Sequence, residues 1–328
     1  MTVLLTGAAG FIGFHTALAL LTRGETVIGI DNLNTYYDIA LKQARLAQLL
    51  IHPQFHFHQI DIADRAATLA FAAPEHGIDR IIHLAAQAGV RYSMIDPHAY
   101  VASNVMGHLC VLELARALPG LKHLVYASSS SVYGGNETMP FSEGDRVDRP
   151  LSLYAATKRA DELMSHAYGH LFAVPQTGLR FFTVYGPWGR PDMAYFSFAE
   201  AISTGKPITV YDNGHVRRDF TYIDDIVQGV LGALDHPPEL HGAANPVRIL
   251  NIGNNSSEAI TTVIELLEAG LGKKAVIRYM PRPQADVADT CANVDAIAAL
   301  AGFAPSTPIG EGLPRFIAWF KAWQARAQ

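Results

Sequence analysis

Cysteine is nearly absent: Cys110 and Cys291 are the two in 328 residues. That excludes a disulfide framework and a Cys-built zinc site, and it points to a reducing compartment, the cytoplasm. Charge is also sparse, at 17% of residues, and the formal net charge of −5 leaves no basic surplus for a nucleic-acid partner. Any anionic ligand must be held by local Arg, Lys or backbone groups. No run of about 18 apolar residues occurs, so no membrane span is expected. Internal repeats and low-complexity tracts are missing. The fourteen His form no ligand motif, so no metal is expected, and His56 and His58 alternate in a strand with one exposed face. Met1 runs straight into Thr2–Thr6, which reads as a strand and not as a leader.

What is present is a large apolar fraction, 49%, on a chain long enough for two domains or one large α/β unit with an appendage. Thr2–Thr6 enters Gly7-Ala8-Ala9-Gly10-Phe11-Ile12-Gly13, and a helical pattern follows over 14–22. Strand, glycine turn and helix together are the context of a dinucleotide fingerprint. Gly7 permits the tight turn, Gly10 lets backbone N–H groups approach a pyrophosphate, and Gly13 allows close helix–strand packing. The helix N-terminus adds partial positive charge. The second strand, 26–30, ends at Asp31, which suits the ribose hydroxyls of NAD and repels the extra phosphate of NADP. Asn32, Leu33 and Asn34 supply no cation for that phosphate.

An amphipathic helix is expected over 39–50 and strands over 55–60 and 80–84. The third strand ends at Asp61-Ile62, an adenine contact. The fourth runs into Leu84-Ala85-Ala86, small enough to pass close to a flat ligand. A long helix over 97–118 carries Asn104 among apolar residues, where an amide often just satisfies a backbone group. A strand over 121–127 feeds Ser128-Ser129-Ser130-Ser131-Val132-Tyr133-Gly134. Serines at the carboxyl end of such a strand sit where doubly wound sheets place their ligands. Alternating strands and helices with short turns predict an α/β fold, a doubly wound parallel sheet of the Rossmann type.

Tyr154 and Lys158 stand four residues apart in Leu153–Leu163, so a helix places them on one face. A phenol is a poor base at neutral pH, but a neighbouring ammonium favours its ionised form. Alone, the pair is a common coincidence. In this order with the glycine turn, Asp31, Asp61 and the serine run, it resembles the extended short-chain dehydrogenase/reductase family, over most of the chain. The resemblance implies Tyr154 as acid/base, Lys158 as the group that binds nicotinamide ribose and tunes Tyr154, and Ser129 as an assisting hydroxyl. It extends the NAD site to Phe11, Ile12, Asn32, Ile62, Asn104 and Tyr185.

Within that family the chain is similar to nucleotide-sugar enzymes, most of all to UDP-glucuronate 4-epimerases. Arg91-Tyr92-Ser93, the serine run, Leu179–Met193 with its Tyr185-Gly186-Pro187-Trp188-Gly189-Arg190, and Arg217–Asp225 carry this resemblance. It implies reversible C4 epimerisation of UDP-glucuronate to UDP-galacturonate, with Arg91, Ser128, Ser129, Ser130 and Arg217 on the substrate, Arg218 facing the diphosphate, and Thr183 and Arg190 near the sugar carboxylate. Arg is the natural bidentate partner for either anion. Dehydratases of the family place Asp-Glu where Ser130 and Ser131 stand, and uronate decarboxylases place Glu at Ser131. Hydroxyls there favour epimerisation; UDP-glucose 4-epimerase and UDP-glucuronate decarboxylase are the alternatives. The resemblance also implies a homodimer through sheet-flanking helices. One departure is Gln284-Ala285-Asp286-Val287, with Ala285 where the family usually has Gly.

Residues 1–185 are expected to form the NAD-binding domain, with a return at about 219–252, and 186–328 mainly a smaller α/β substrate domain. Helices are expected over 221–234, 261–269, 294–301 and 310–324, and a strand over 248–252. Trp319, Phe320 and Trp323 read as core.

Overall fold

The computed structural model describes all residues except 240–244, 285, 288 and 327–328. Ala285, the departure noted above, therefore lies outside the described residues. Strands β1 (Thr2–Thr6), β2 (Thr26–Asp31), β3 (Phe55–Gln59), β4 (Arg80–His83), β5 (His123–Ser129) and β6 (Gln176–Phe181) build the main sheet. After β7 (Thr183–Tyr185), β8 (Pro207–Tyr211) and β9 (Arg217–Tyr222), the chain returns with β10 (Val247–Ile252). The sheet is parallel throughout, in the order β10-β6-β5-β4-β1-β2-β3. Its strands are apolar on both faces because both are covered. Val3 and Leu5 of β1 face one core, with Phe14 and Leu20 of the helix Phe11–Thr22. Leu4 faces the other, with Val111 and Leu114 of the helix Gly107–Ala117.

Strand order reverses beside β1, which pairs with β2 on one side and β4 on the other. That switch point opens a crevice at the strands' carboxyl ends. Two small sheets border it. One has β9 between β7 and β11 (Ser257–Ala259); the other pairs β8 with β12 (Val276–Met280).

Several expected elements shift. The helix expected over 221–234 starts at Ile223, because 217–222 continue as β9 between two partners. The long helix expected over 97–118 is interrupted by a wide π-type turn over Val101–Met106. Strands β7, β8, β11 and β12 have no counterpart in the sequence reading. They are three to five residues long, too short to show a period. Of the C-terminal aromatics, Phe320 is buried, while Trp319 and Trp323 are partly covered and both meet Trp188.

Candidate active site

A cavity of about 770 Å³ occupies the crevice and runs from the glycine turn to Tyr154. This size is ordinary for a ligand site. Gly7 has φ +76°, and a Cβ there would come within 2.8 Å of the Ala85 backbone nitrogen. At Gly13 a Cβ would lie 2.0 Å from the Gly7 carbonyl oxygen. Both positions therefore require glycine. No side chain caps the helix Phe11–Thr22 at Gly10, so its first-turn N–H groups remain available to an anion. The Asp31 carboxylate is fixed at the cavity wall by the backbone N–H groups of Ala9 (3.1 Å) and Leu33 (2.9 Å). An uncapped helix start, a glycine cradle and an anchored acid together fit a dinucleotide with free ribose hydroxyls.

Ser152 caps the helix Leu153–Phe172 through the Ala155 N–H, which sets Tyr154 in its first turn and Lys158 one turn on. Both side chains line the cavity. Lys158 is buried, and its Nζ donates to the Ala127 carbonyl (3.0 Å) and to Asp161 Oδ2 (3.1 Å). The serine run leaves β5 at the adjoining wall and packs against the Tyr154 helix. Ser129 Oγ accepts from the Ser131 N–H and lies 3.1 Å from Ser131 Oγ. Ser128 donates to Glu162 (2.6 Å), which also accepts from Arg180.

Beyond Tyr154 the wall carries Thr183, Arg190, Asp192, Arg91 and Arg218. Arg190 makes a two-pronged pair with Asp192, at 3.0 and 2.7 Å. Burial alone would push the Asp192 carboxyl up, but Arg190 holds it below the ordinary carboxylate range. Tyr36 donates to the same carboxylate at 3.2 Å. Arg91 bridges to Asp286 (2.7 Å) across the cavity mouth, with its guanidinium over the Tyr211 ring. Arg218 donates to the Val287 carbonyl (2.7 Å), and burial lowers its pKa.

Most residues expected at the site thus converge on one cavity: Gly7, Gly10, Phe11, Ile12, Gly13, Asp31, Asn32, Asp61, Ile62, Leu84, Ala85, Ala86, Arg91, Ser128, Ser129, Ser130, Tyr154, Lys158, Thr183, Arg190 and Arg218. Three residues expected at the site do not line the cavity. Asn104 is buried and turned to the backbone of Gln87, accepting from its N–H (2.8 Å) and donating to its C=O (3.1 Å). Tyr185 points into the core, with its hydroxyl on the Pro308 carbonyl. Arg217 is exposed at the edge of β9 and donates to the Ser257 carbonyl.

Tyr36 and Asp192 on the wall, Asp161 behind Lys158, and Arg45 escaped the sequence reading. Arg45 looks like a surface charge on a polar helix but is fully buried. It donates to the carbonyls of Ala9 in the glycine turn and of Trp188 and Gly189 in the Arg190 loop. It thereby ties the two ends of the site together. Apart from the Tyr37 hydroxyl, its partners are backbone groups distant in sequence, which no local pattern marks.

Comparison with known proteins points the same way. A model of the NAD dependent epimerase/dehydratase family matches residues 3–253. A probable UDP-glucuronate 4-epimerase of Rhizobium meliloti (strain 1021) is 46% identical, covering 100% of this chain and 99% of its own. UDP-glucuronate 4-epimerase 1 of Arabidopsis thaliana is also 46% identical, over 98% of this chain and 77% of that one. The crystal structure of UDP-glucuronic acid 4-epimerase from Bacillus cereus, in complex with UDP-glucuronic acid and NAD, superposes with a TM-score of 0.89. It is 33% identical and covers 98% and 100% of the two chains.

Proposed function

This chain belongs to the NAD dependent epimerase/dehydratase family, and from that premise we propose that it is an NAD-dependent isomerase interconverting UDP-glucuronate and UDP-galacturonate by inversion at C4. One observation carries the reading beyond the family. Where the family's dehydratases and decarboxylases use carboxylates, the run packed against the Tyr154 helix offers the hydroxyls of Ser130 and Ser131.

The glycine turn, Asp31 and Lys158 would hold NAD, which would supply a reversible acceptor for the C4 hydride. Tyr154 accepts the proton of the sugar 4-hydroxyl and later returns it. Lys158, fixed by Ala127 and Asp161, holds positive charge beside the phenol and reaches the nicotinamide ribose. Ser129, held in place by Ser131, donates to the sugar oxygen. The planar 4-ketone turns in the cavity and is reduced on its other face. It is a β-keto acid, so its carboxylate must be kept out of alignment with the ketone π system or CO₂ is lost. Thr183 and Arg190 hold that carboxylate, and Arg218 and Arg91 hold the diphosphate end. In this assignment the seven-stranded region binds NAD, and the region of β8, β9, β11 and β12 covers the UDP-sugar.

The decisive experiment incubates purified protein with UDP-glucuronate and resolves UDP-galacturonate, UDP-pentose and CO₂, with UDP-glucose as a parallel substrate. UDP-galacturonate formed without CO₂ is expected. UDP-pentose or CO₂ as the main product, or turnover of UDP-glucose alone, would overturn the reading. Tyr154→Phe should retain NAD and lose about a hundredfold or more in turnover.

We also infer a homodimer. Val101 and Met106 on the π-type turn, and Leu163 and Leu171 on the helix Leu153–Phe172 packed against it, are 48–66% exposed. Apolar side chains on neighbouring helices of one sheet face are what a second copy would bury. Sedimentation should give twice the chain mass, and Leu163→Glu should halve it; a monomeric wild type contradicts the inference. Among the described residues no helix is long and apolar enough to cross a membrane. Two free thiols suit the cytoplasm, which cell fractionation tests.

A further inference from the structure

We propose that Asp161 is a positioning residue for the Tyr154–Lys158 couple: its buried carboxylate holds the Lys158 ammonium from behind the cavity wall, offsets part of its charge, and so sets the pH range in which Tyr154 exchanges its proton. The inference rests on Tyr154 as the acid/base of the reading above. Two turns of one helix carry the arrangement, with Tyr154, Lys158 and Asp161 at spacings of four and three. Lys158 has three N–H groups. One goes to Ala127 and one to Asp161, which leaves the third for the cavity.

Asp161 is 1% exposed, lines no part of the cavity, and its Oδ1 accepts no hydrogen bond among the described residues. Glu162, one residue on, is also buried and off the cavity, but it accepts from Arg180, Ser128 and Arg159. Hydrogen bonding to backbone or to a structural cation therefore does not account for Asp161. Among the described residues, the one polar partner of its side chain is the lysine of the site.

The surrounding groups leave this pair to determine the local charge. His83 on β4 is held neutral by burial, its pKa lowered to about 3, and His108 on the helix Gly107–Ala117 is lowered well below its ordinary value. Tyr126 on β5, beside Asp161 and Glu162, is pushed up by burial and stays protonated. Arg180 on β6 is matched by Glu162. Lys158 and Asp161 are then the two charges that face each other behind Tyr154. With Asp161 ionised, the field that Lys158 exerts on the phenol is reduced. Burial also raises the Asp161 pKa to about 6, so the compensation switches on as pH rises through that value.

The test compares wild-type holoenzyme with Asp161→Asn and Asp161→Ala, each with and without Tyr154→Phe. The pH of phenolate formation at Tyr154 is read by ultraviolet difference absorbance, subtracting the Tyr154→Phe protein, with no substrate present. It should fall by about one pH unit in either Asp161 variant. The acid limb of the kcat/KM profile for UDP-glucuronate should move with it. Phenolate formation at an unchanged pH, even with activity reduced, would make Asp161 merely structural. Should neither variant fold, Asp161→Ser, small and uncharged, gives the same comparison: phenolate formation must move to lower pH, and an unchanged pH overturns the proposal. If the wild type does not act on UDP-glucuronate, the functional reading falls while the phenolate titration still judges Asp161.

Discussion

The Arg190 guanidinium meets a carboxylate of its own chain, Asp192, at 2.7 and 3.0 Å on the cavity wall. In the proposed assignment a sugar carboxylate would share the cation with Asp192, and discrimination between a uronate and a neutral hexose would rest on that one charge. Removing it leaves Asp192 alone against the substrate. A charge-assisted hydrogen bond is worth about 1.5–3 kcal/mol, which is about 10- to 100-fold in rate. Arg190→Ala should lower kcat/KM for UDP-glucuronate by that factor, raise CO₂ release per turnover, and leave NAD affinity unchanged. Competition kinetics against UDP-glucose checks it. Equal losses on both sugars would place Arg190 in the scaffold instead.

At the scale of elements, the π-type turn at Val101–Met106 re-aims a single side chain. The wider turn presents Asn104 to the loop after β4, where it takes both backbone groups of Gln87 and reaches Thr157 on the Tyr154 helix at 3.0 Å. Three segments of the NAD wall are fixed through one amide. Asn104→Ala strands the Gln87 N–H and C=O in a buried place, which costs about 1–3 kcal/mol. The urea midpoint should drop accordingly and NAD should dissociate faster. Unaltered NAD retention in a destabilised protein would confine Asn104 to packing. The helix pattern over 97–118 was legible, since apolar spacing survives one wide turn. The turn itself was not, because it depends on what Gln87 needs from across the chain.

For the whole molecule, burial determines the response to acid. Desolvation lowers His15 and His123 to about 4, His83 to about 3, and His108 well below 6.5. Unfolded, each takes up a proton near pH 6.5. Their contribution is complete above that pH and is lost as pH falls towards the folded values. Asp161 and Asp219, raised by burial to about 6, act oppositely: their contribution is present below 3.8 and lost as pH rises through about 6. Four imidazoles outweigh two carboxyls, so the urea midpoint should fall from about pH 6.5 to about pH 4. A flat or rising midpoint over that range would contradict this balance.

Local pattern alone determined a good deal. A strand, a glycine turn and a helix are contiguous, so Gly7–Gly13 and Asp31 declare a nucleotide crevice within thirty-one residues. Tyr154 and Lys158 share a helix face and the serine run ends a strand, but spacing alone left the pair a coincidence, and their chemical roles came from the family resemblance. Only the tertiary structure decided which polar side chains serve the cavity and which serve the backbone. Asn104, Tyr185 and Arg217 look like site residues in sequence but bond elsewhere. Arg45 and Asp161 look like solvated charges but are buried among groups the site depends on. Burial and hydrogen-bond partners are properties of contacts between distant segments. A one-dimensional pattern records which residues can pair, and the fold determines which of them meet.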